Sequence, residues 1–526
     1  EIRQIEVVHG PNSALFGFNA ASGVINIITF DPAVDRVANG TARIGAGGYR
    51  EASGVVSAPF GEGHGLRLSA GLRGEDPWRR GYSDFETTSL DARRKPSRNQ
   101  LAGELTLRLA PHIQASLSGS YSRAIGGDFM DYGQFWREDK RVWSLGGKVA
   151  VTTAYGLLDA QLYHNALRAT YAATPDATGH GLTVAELGYA MKPAAAHTVR
   201  PLLQFRHSTM SMLPGTEVHY SVLGAGIMWN WAVTETLELT TSLRYDQLWL
   251  GARGYDDPNF PYGDKDYDRR FGETSWNAAL VWRATPQDTL RASLARGVSL
   301  PSLSDFGWRD SYPAFGYQDT GTPGLSPTVV DSYELEYRRR LEAIGGRASL
   351  LGFFEHYRGF SSGLSSATFL PPAVPYDTYA PYNLGHAVLF GAEAAISGQA
   401  TQETDWGLRY RLSVPSSDFR PSLQDPTHGS PRHLVTARAG WRRDAVELDL
   451  FGRYSSVMRA YRARNEVDST LAEARDYLSV AARLAYRLTE RATLALEGEN
   501  LLHQRQSQTL AALAERRVYL SLRLAF

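Results

Sequence analysis

The chain has no cysteine among its 526 residues, which excludes a disulfide framework and thiolate metal sites. Neither sign of charge dominates. Lys and Arg total 55, Asp and Glu total 55, and the basic surplus of a nucleic-acid binder is missing. No hydrophobic run approaches the roughly 20 residues of a transmembrane helix, and the mean hydropathy is −0.31. There is no nucleophile–base spacing, no Gly-rich phosphate loop and no clustered His motif for zinc, so no catalytic residues and no resident cofactor are expected. No signal peptide is visible in the sequence, which opens at Glu1 directly in a strand-like run, and an exported protein with this opening is expected to have a native N-terminus further upstream. Taken alone, these absences describe a soluble binding protein. The length does not, because one soluble core rarely organises this many residues; the options are several domains or one large closed sheet.

What is present is alternation. In Ile113–Tyr121 the odd positions Ile113, Ala115, Leu117, Gly119 and Tyr121 share one face, and Gln114, Ser116, Ser118 and Ser120 share the other. Leu237, Leu239, Thr241, Leu243 and Tyr245 oppose Glu238, Thr240, Ser242, Arg244 and Asp246. At the end of the chain Val518, Leu520, Leu522, Leu524 and Phe526 oppose Arg517, Tyr519, Ser521 and Arg523. Period two with one apolar and one polar face is a strand between two different solvents, and a tilted strand of about 9–11 residues crosses a bilayer. About 22 such segments follow one another, starting near Val37, Arg50 and His64, passing through Lys140 and Leu182, and ending with one near Glu515.

The connections alternate too. Short turns fall around Pro111, Thr153–Ala154, Val233–Thr234, Thr285–Gln287, Arg443–Asp444 and Thr489–Glu490; long polar or aromatic stretches lie between them. A transmembrane antiparallel up-and-down β-barrel has tight periplasmic turns and long extracellular loops. A propeller or sandwich has no reason to alternate in this way. Trp143, Tyr245, Trp276, Trp282, Trp406, Trp441 and Tyr454 fall on the apolar face, as a girdle at the headgroup boundary requires. A barrel of this strand number encloses a lumen too wide for side chains to fill, and such barrels are generally plugged.

Residues 5–29 read IEVVHGPNSALFGFNAASGVINIIT. This stretch resembles the end of the plug domain of TonB-dependent outer-membrane receptors. Ser293–Leu303, Gly324–Pro327 running on to Ser332–Tyr337, Asn383–Glu393, and Glu499–Leu502 with terminal Phe526 are similar to the same family's barrel. The resemblance implies an all-β fold, with residues 1–36 a C-terminal fragment of the plug and 37–526 the barrel. It also implies a signal peptide and a TonB-box segment outside this sequence. The plug motif is His9, Gly10, Pro11, Gly17 and Gly23. The family usually has Arg before the Gly-Pro, where this chain has His9; the implied plug–barrel lock joins that position to Glu336 and Glu393, and a neutral His holds a carboxylate more weakly than Arg does.

The implied activity is energised uptake of a scarce, large solute, a ferric siderophore or similar metal chelate, across the Gram-negative outer membrane. A receptor used mainly in signalling and a passive channel are the alternatives. The implied partners are outer-membrane lipid and lipopolysaccharide, the TonB complex and the chelate, for a monomer that binds no nucleic acid. Loops are the favoured place for binding. Three are aromatic: Phe129, Tyr132, Phe135 and Trp136; Trp308, Tyr312, Phe315 and Tyr317; Phe369, Tyr376, Tyr379 and Tyr382. With Arg79, Arg80, Arg309 and Arg358 near them, they are the residue types that stack on and neutralise a flat anionic chelate; aromatics equally pack long loops together. Asp256, Asp257, Asp264, Asp266 and Asp268 make one loop acidic in the manner of oxygen-ligand calcium sites, without EF-hand spacing.

Overall fold

The computed structural model describes the chain apart from residues 77–94, 130–134, 172–173, 363–367, 371–375, 419–428, 464–468 and 510–512. Twenty-two antiparallel strands form one closed barrel, sealed where Val37–Gly45 pairs with Arg517–Ala525. Most strands start within a few residues of the positions read from alternation. Two start earlier: Phe135–Thr152 rather than near Lys140, and Thr174–Ala194 rather than near Leu182. Beyond the bilayer both faces meet water, so a strand can run on without an apolar face to reveal it.

The wall is inverted relative to a soluble protein. Leu243 and Tyr245 are 54% and 50% exposed, while Arg244 and Asp246 between and beside them are each 1% exposed. Trp143, Trp282 and Tyr454 are likewise exposed on the outer wall. Apolar side chains turned outward need lipid as their solvent; polar ones turned inward need water, each other or protein. No helix among the described residues is long and apolar enough to cross a membrane; the crossing is made by strands.

Threonines set several of the short turns. The Oγ1 atoms of Thr153, Thr234 and Thr285 accept the backbone N–H three residues on, from Gly156, Leu237 and Asp288, at 3.1, 3.0 and 3.0 Å. Such side-chain turns satisfy a donor that the end of a ladder leaves open. On the opposite rim two long connections join. The strands Arg309–Tyr312, Tyr317–Thr320, Asp377–Ala380 and Thr368–Leu370 form a separate four-stranded sheet, in which Tyr317–Thr320 and Asp377–Ala380 run parallel.

Inside the barrel lies the N-terminal segment. Its strands β1 (Ile2–His9) and β2 (Gly23–Thr29) form a hairpin, and the helical turn α1 (Ser13–Phe16) sits between them against four barrel strands.

Candidate functional site: the seat of the N-terminal segment and the loop mouth above it

Residues 10–21 are fastened to the lumen wall by backbone and side-chain hydrogen bonds. The Ser13 hydroxyl accepts the Val298 N–H at 3.0 Å, and the Asn19 N–H donates to the Val298 carbonyl at 2.9 Å. The Asn19 side-chain oxygen takes the Leu300 N–H at 2.8 Å. Asn19 sits at φ 73°, a left-handed conformation that Asn tolerates better than most residues. Pairing with the wall strand Arg269–Arg283 ends at Arg296, and on that side the barrel chain continues its ladder onto the N-terminal segment, while its other side stays paired to the wall through Ser299 and Thr328.

A buried charge cluster supports this seat. The Arg244 guanidinium donates to Asp246 at 2.7–2.9 Å and to Gln204 Oε1 at 3.0 Å, and Gln204 donates to Glu186 at 2.8 Å. Gly17 rests on it. With φ 77°, Gly17 holds a conformation that an L side chain rarely adopts, and a Cβ there would lie 2.9 Å from Arg244 Nη2. Pro11 packs at Gly297, where a Cβ would come within 2.8 Å of the proline ring. Gly23 pairs in register with His9.

The lock expected at His9 is not made here. His9 lines a cavity of about 720 Å³ with Glu334, Glu336 and Glu393, and among the described residues it has no hydrogen bond or ion pair to any of them. Barrel arginines take the carboxylates: Arg338 holds Glu336 at 2.6 Å, Arg409 holds Glu393 at 3.3 Å and Arg291 holds Glu334 at 3.3 Å. A guanidinium carries a permanent charge and a planar fork of donors that suits a carboxylate, which an imidazole does not offer. The residue that meets the motif is Glu334, since a Cβ on Gly10 would lie 2.9 Å from its Oε1.

Above the seat the loops close on a core. Phe18 joins Met210, Val218, Leu248, Tyr255, Tyr267, Phe306 and Leu325 in one buried cluster. Arg309, expected to face a ligand, is 4% exposed. Its guanidinium lies 4.2 Å from the Tyr255 ring centre and 4.7 Å from that of Phe260. It donates to the carbonyls of Tyr255 and Tyr262. In this structure it staples two loops together. Tyr317 is also buried, stacked on Tyr312 at 4.7 Å and met edge-on by Tyr379. Trp308, Tyr312, Tyr376 and Tyr379 remain partly exposed. Arg358 pairs with Asp331 at 2.7 Å. Arg79, Arg80 and Tyr132, and the side chains of Phe129, Phe135, Trp136, Phe315 and Phe369, lie outside the described residues.

In the acidic loop the carboxylates serve the loop's own backbone. Asp264 caps the Gly254 and Tyr255 N–H groups, Asp256 takes the Asp264 N–H, Asp266 takes the Gly263 N–H and Asp257 takes the Asn259 N–H. No group of three potential metal ligands converges among the described residues. These carboxylates fold the loop by substituting for a missing ladder.

Burial pushes the Tyr255 hydroxyl up to about 12, and it donates to the Gly307 carbonyl at 2.6 Å. Tyr267 is raised for the same reason, and burial lowers Arg309. A tyrosine whose folded value exceeds the ordinary value of about 10 stabilises the loops fully below pH ~10 and loses that contribution as pH rises towards the folded value. The loop core is therefore expected to stay closed to about pH 10 and to open between about 10 and 12. Near-UV tyrosinate absorbance of the wild type minus Tyr255→Phe measures this; a Tyr255 that titrates with the exposed tyrosines would contradict it.

The family described as "TonB dependent receptor-like, beta-barrel" matches residues 38–501. The chain belongs to the TonB-dependent receptors. The receptor is thus a Gram-negative outer-membrane protein, of a family that transports rather than catalyses. It is 23% identical over 554 residues to an iron-regulated outer membrane virulence protein of Vibrio cholerae, covering 100% of this chain and 80% of that one. It is 22% identical over 410 residues to a vitamin B12 transporter of Photobacterium profundum, covering 74% and 59%. The fold matches that of the ferric enterobactin receptor of Pseudomonas aeruginosa with a TM-score of 0.78 at 17% identity, over 100% of this chain and 86% of the other. It matches the siderophore receptor PirA of the same species at 0.74 and 16%, over 100% and 87%.

Sequence reasoning missed Ser13, Asn19, Gln204 and Glu334. The signal for Glu334 was in plain view, since it shares the lumen parity of Glu336 in the same strand.

Proposed function

We propose that this receptor actively imports a ferric siderophore or a similar metal chelate, energised through TonB, with residues 1–36 acting as the end of a plug inside the barrel of residues 37–526. The observation that carries this reading is the seat of residues 10–21, hydrogen-bonded across the lumen to Val298 and Leu300. A passive pore has no use for a chain segment fastened across its lumen, whereas a gate needs one that can be released. Similarity to an iron-regulated protein, a siderophore receptor and a ferric enterobactin receptor supports a chelate as cargo. Trp308, Tyr312, Tyr376 and Tyr379, partly exposed at the loop mouth, are the side chains proposed to stack on it.

Uptake of labelled iron by a deletion strain, supplied with a panel of chelates and with cobalamin, tests the cargo. At least one ferric chelate is expected to depend on the receptor, with uptake restored by the gene and abolished without TonB. Independence from every iron source, with dependence for another solute, would overturn the chelate reading.

A further inference from the structure

Low on the lumen wall, beside the short turns, arginines face one another with no carboxylate between them. Arg340 and Arg347 are direct register partners on Thr328–Leu341 and Gly346–Arg358. Like charges placed directly opposite each other destabilise a sheet. Elsewhere on the wall such a pair is neutralised: Arg123 faces Arg141, and both reach Asp139, at 2.6 and 3.7 Å. Arg340 and Arg347 make no ion pair among the described residues, and both are exposed.

The row continues in register along the wall. Arg347 faces Ser397, Ser397 faces Gly407, and Gly407 faces Arg438. A Cβ on Gly407 would lie 3.1 Å from Arg438 Nε and 3.5 Å from the Ser397 Cβ. Without one, the floor between the arginines stays open. The three arginines and Ser397 line a cavity of about 460 Å³ beside the turn residues Gln287 and Gly345. Arg338, Arg347, Ser397 and Arg438 also line the cavity that His9 lines, so the two spaces adjoin beneath the N-terminal segment.

The charges around the lower cavity do not cancel. Among the described residues five arginines line it against one carboxylate, Asp405, which takes Arg438 at 3.6 Å. Glu336 takes Arg338 at 2.6 Å, and Asp288 takes Arg339 at 3.4 Å. Arg340 and Arg347 are the charges left over.

We propose that this row is a binding site for a multivalent oxyanion at the periplasmic exit of the lumen. Guanidinium groups suit phosphate and carboxylate oxygens, and a cleft lined by one sign of charge concentrates its counter-ion. A monovalent anion would leave one of the facing arginines uncompensated, so the group carries two negative charges or more. That chemistry has two sources: inorganic phosphate held from the periplasm, or an anionic arm of the solute leaving the barrel. The second source rests on the import reading; the site itself does not.

Crystals of the full-length receptor soaked in tungstate, a heavy dianion of phosphate shape, locate the site by anomalous scattering. The expected result is a peak between Arg340 and Arg347 that is absent when Arg340→Gln and Arg347→Gln are combined. Should that variant fail to fold by heat-modified gel mobility, Arg347→Gln alone is expected to remove the peak. No peak in wild type, a peak that survives the variant, or a carboxylate of the receptor's own chain bridging the two arginines would overturn the proposal. Two solution measurements then separate the sources. If the solute uses the site, the double variant lowers the maximal rate of labelled uptake about tenfold with half-saturation unchanged, and Lys at both positions restores the rate. If free phosphate uses it, uptake is unchanged, and titration calorimetry shows inorganic phosphate binding that the double variant loses. Neither effect would mean an adventitious ion only and would overturn the proposal. A receptor that imports no chelate would fail the import reading and leave the crystallographic and calorimetric tests standing.

Discussion

Replacing Arg244 by Met is expected to cost the receptor about 3–5 kcal/mol, the usual penalty for stranding one partner of a buried ion pair. Arg244 and Asp246 have side chains 0% and 2% exposed, on the lumen side of Leu237–Arg253. Removing the guanidinium leaves the Asp246 carboxylate without its three short contacts, and leaves Gln204 Oε1 without its donor. Gly17 loses the surface it rests on, so the N-terminal segment is expected to loosen along with the wall. Adding Asp246→Leu removes the stranded charge, and the double variant is expected to return to within about 1–2 kcal/mol of wild type, because a buried pair and a well-packed apolar pair are often close in stability. Thermal unfolding in detergent, followed as loss of heat-resistant gel mobility, gives the comparison. A single variant as stable as wild type would show that the cluster neither holds the wall nor supports the seat.

The barrel was legible because lipid imposes a pattern on every crossing strand. Leu243 and Tyr245 had to be apolar, and Arg244 was free to be charged. The long and short connections added the orientation. The same logic explains where strand starts were misplaced: the early residues of Phe135–Thr152 and Thr174–Ala194 stand beyond the bilayer, where neither face is constrained. The seat was only half legible. Gly10, Pro11 and Gly17 stood out through family resemblance, but the residues they meet, Glu334, Gly297, Gln204 and Arg244, come from separate strands that only barrel closure brings together. Arg309 shows the opposite failure. An arginine among aromatics reads the same whether the rings belong to a ligand or to neighbouring loops, and only its burial between Tyr255 and Phe260 separates the two.

The second large effect concerns the gate. If cargo passes only when residues 10–21 leave the wall, tying them down should abolish transport without harming capture at the loop mouth. The chain has no cysteine, so an introduced pair has no competitor. Asn19 and Ser299 suit it, because their side-chain oxygens already lie 3.5 Å apart and both residues are accessible. Asn19→Cys gives up a residue suited to φ 73°, at a cost of order 1 kcal/mol; the reduced double variant carries the same cost and is the internal control.

Uptake of labelled cargo by cells carrying Asn19→Cys and Ser299→Cys, measured oxidised and then after reduction, tests the gate directly. The expected result is cargo bound at the surface but imported no faster than by a deletion strain, with import restored by reductant. Wild-type import through the fully cross-linked receptor would contradict the claim that this seat is what opens.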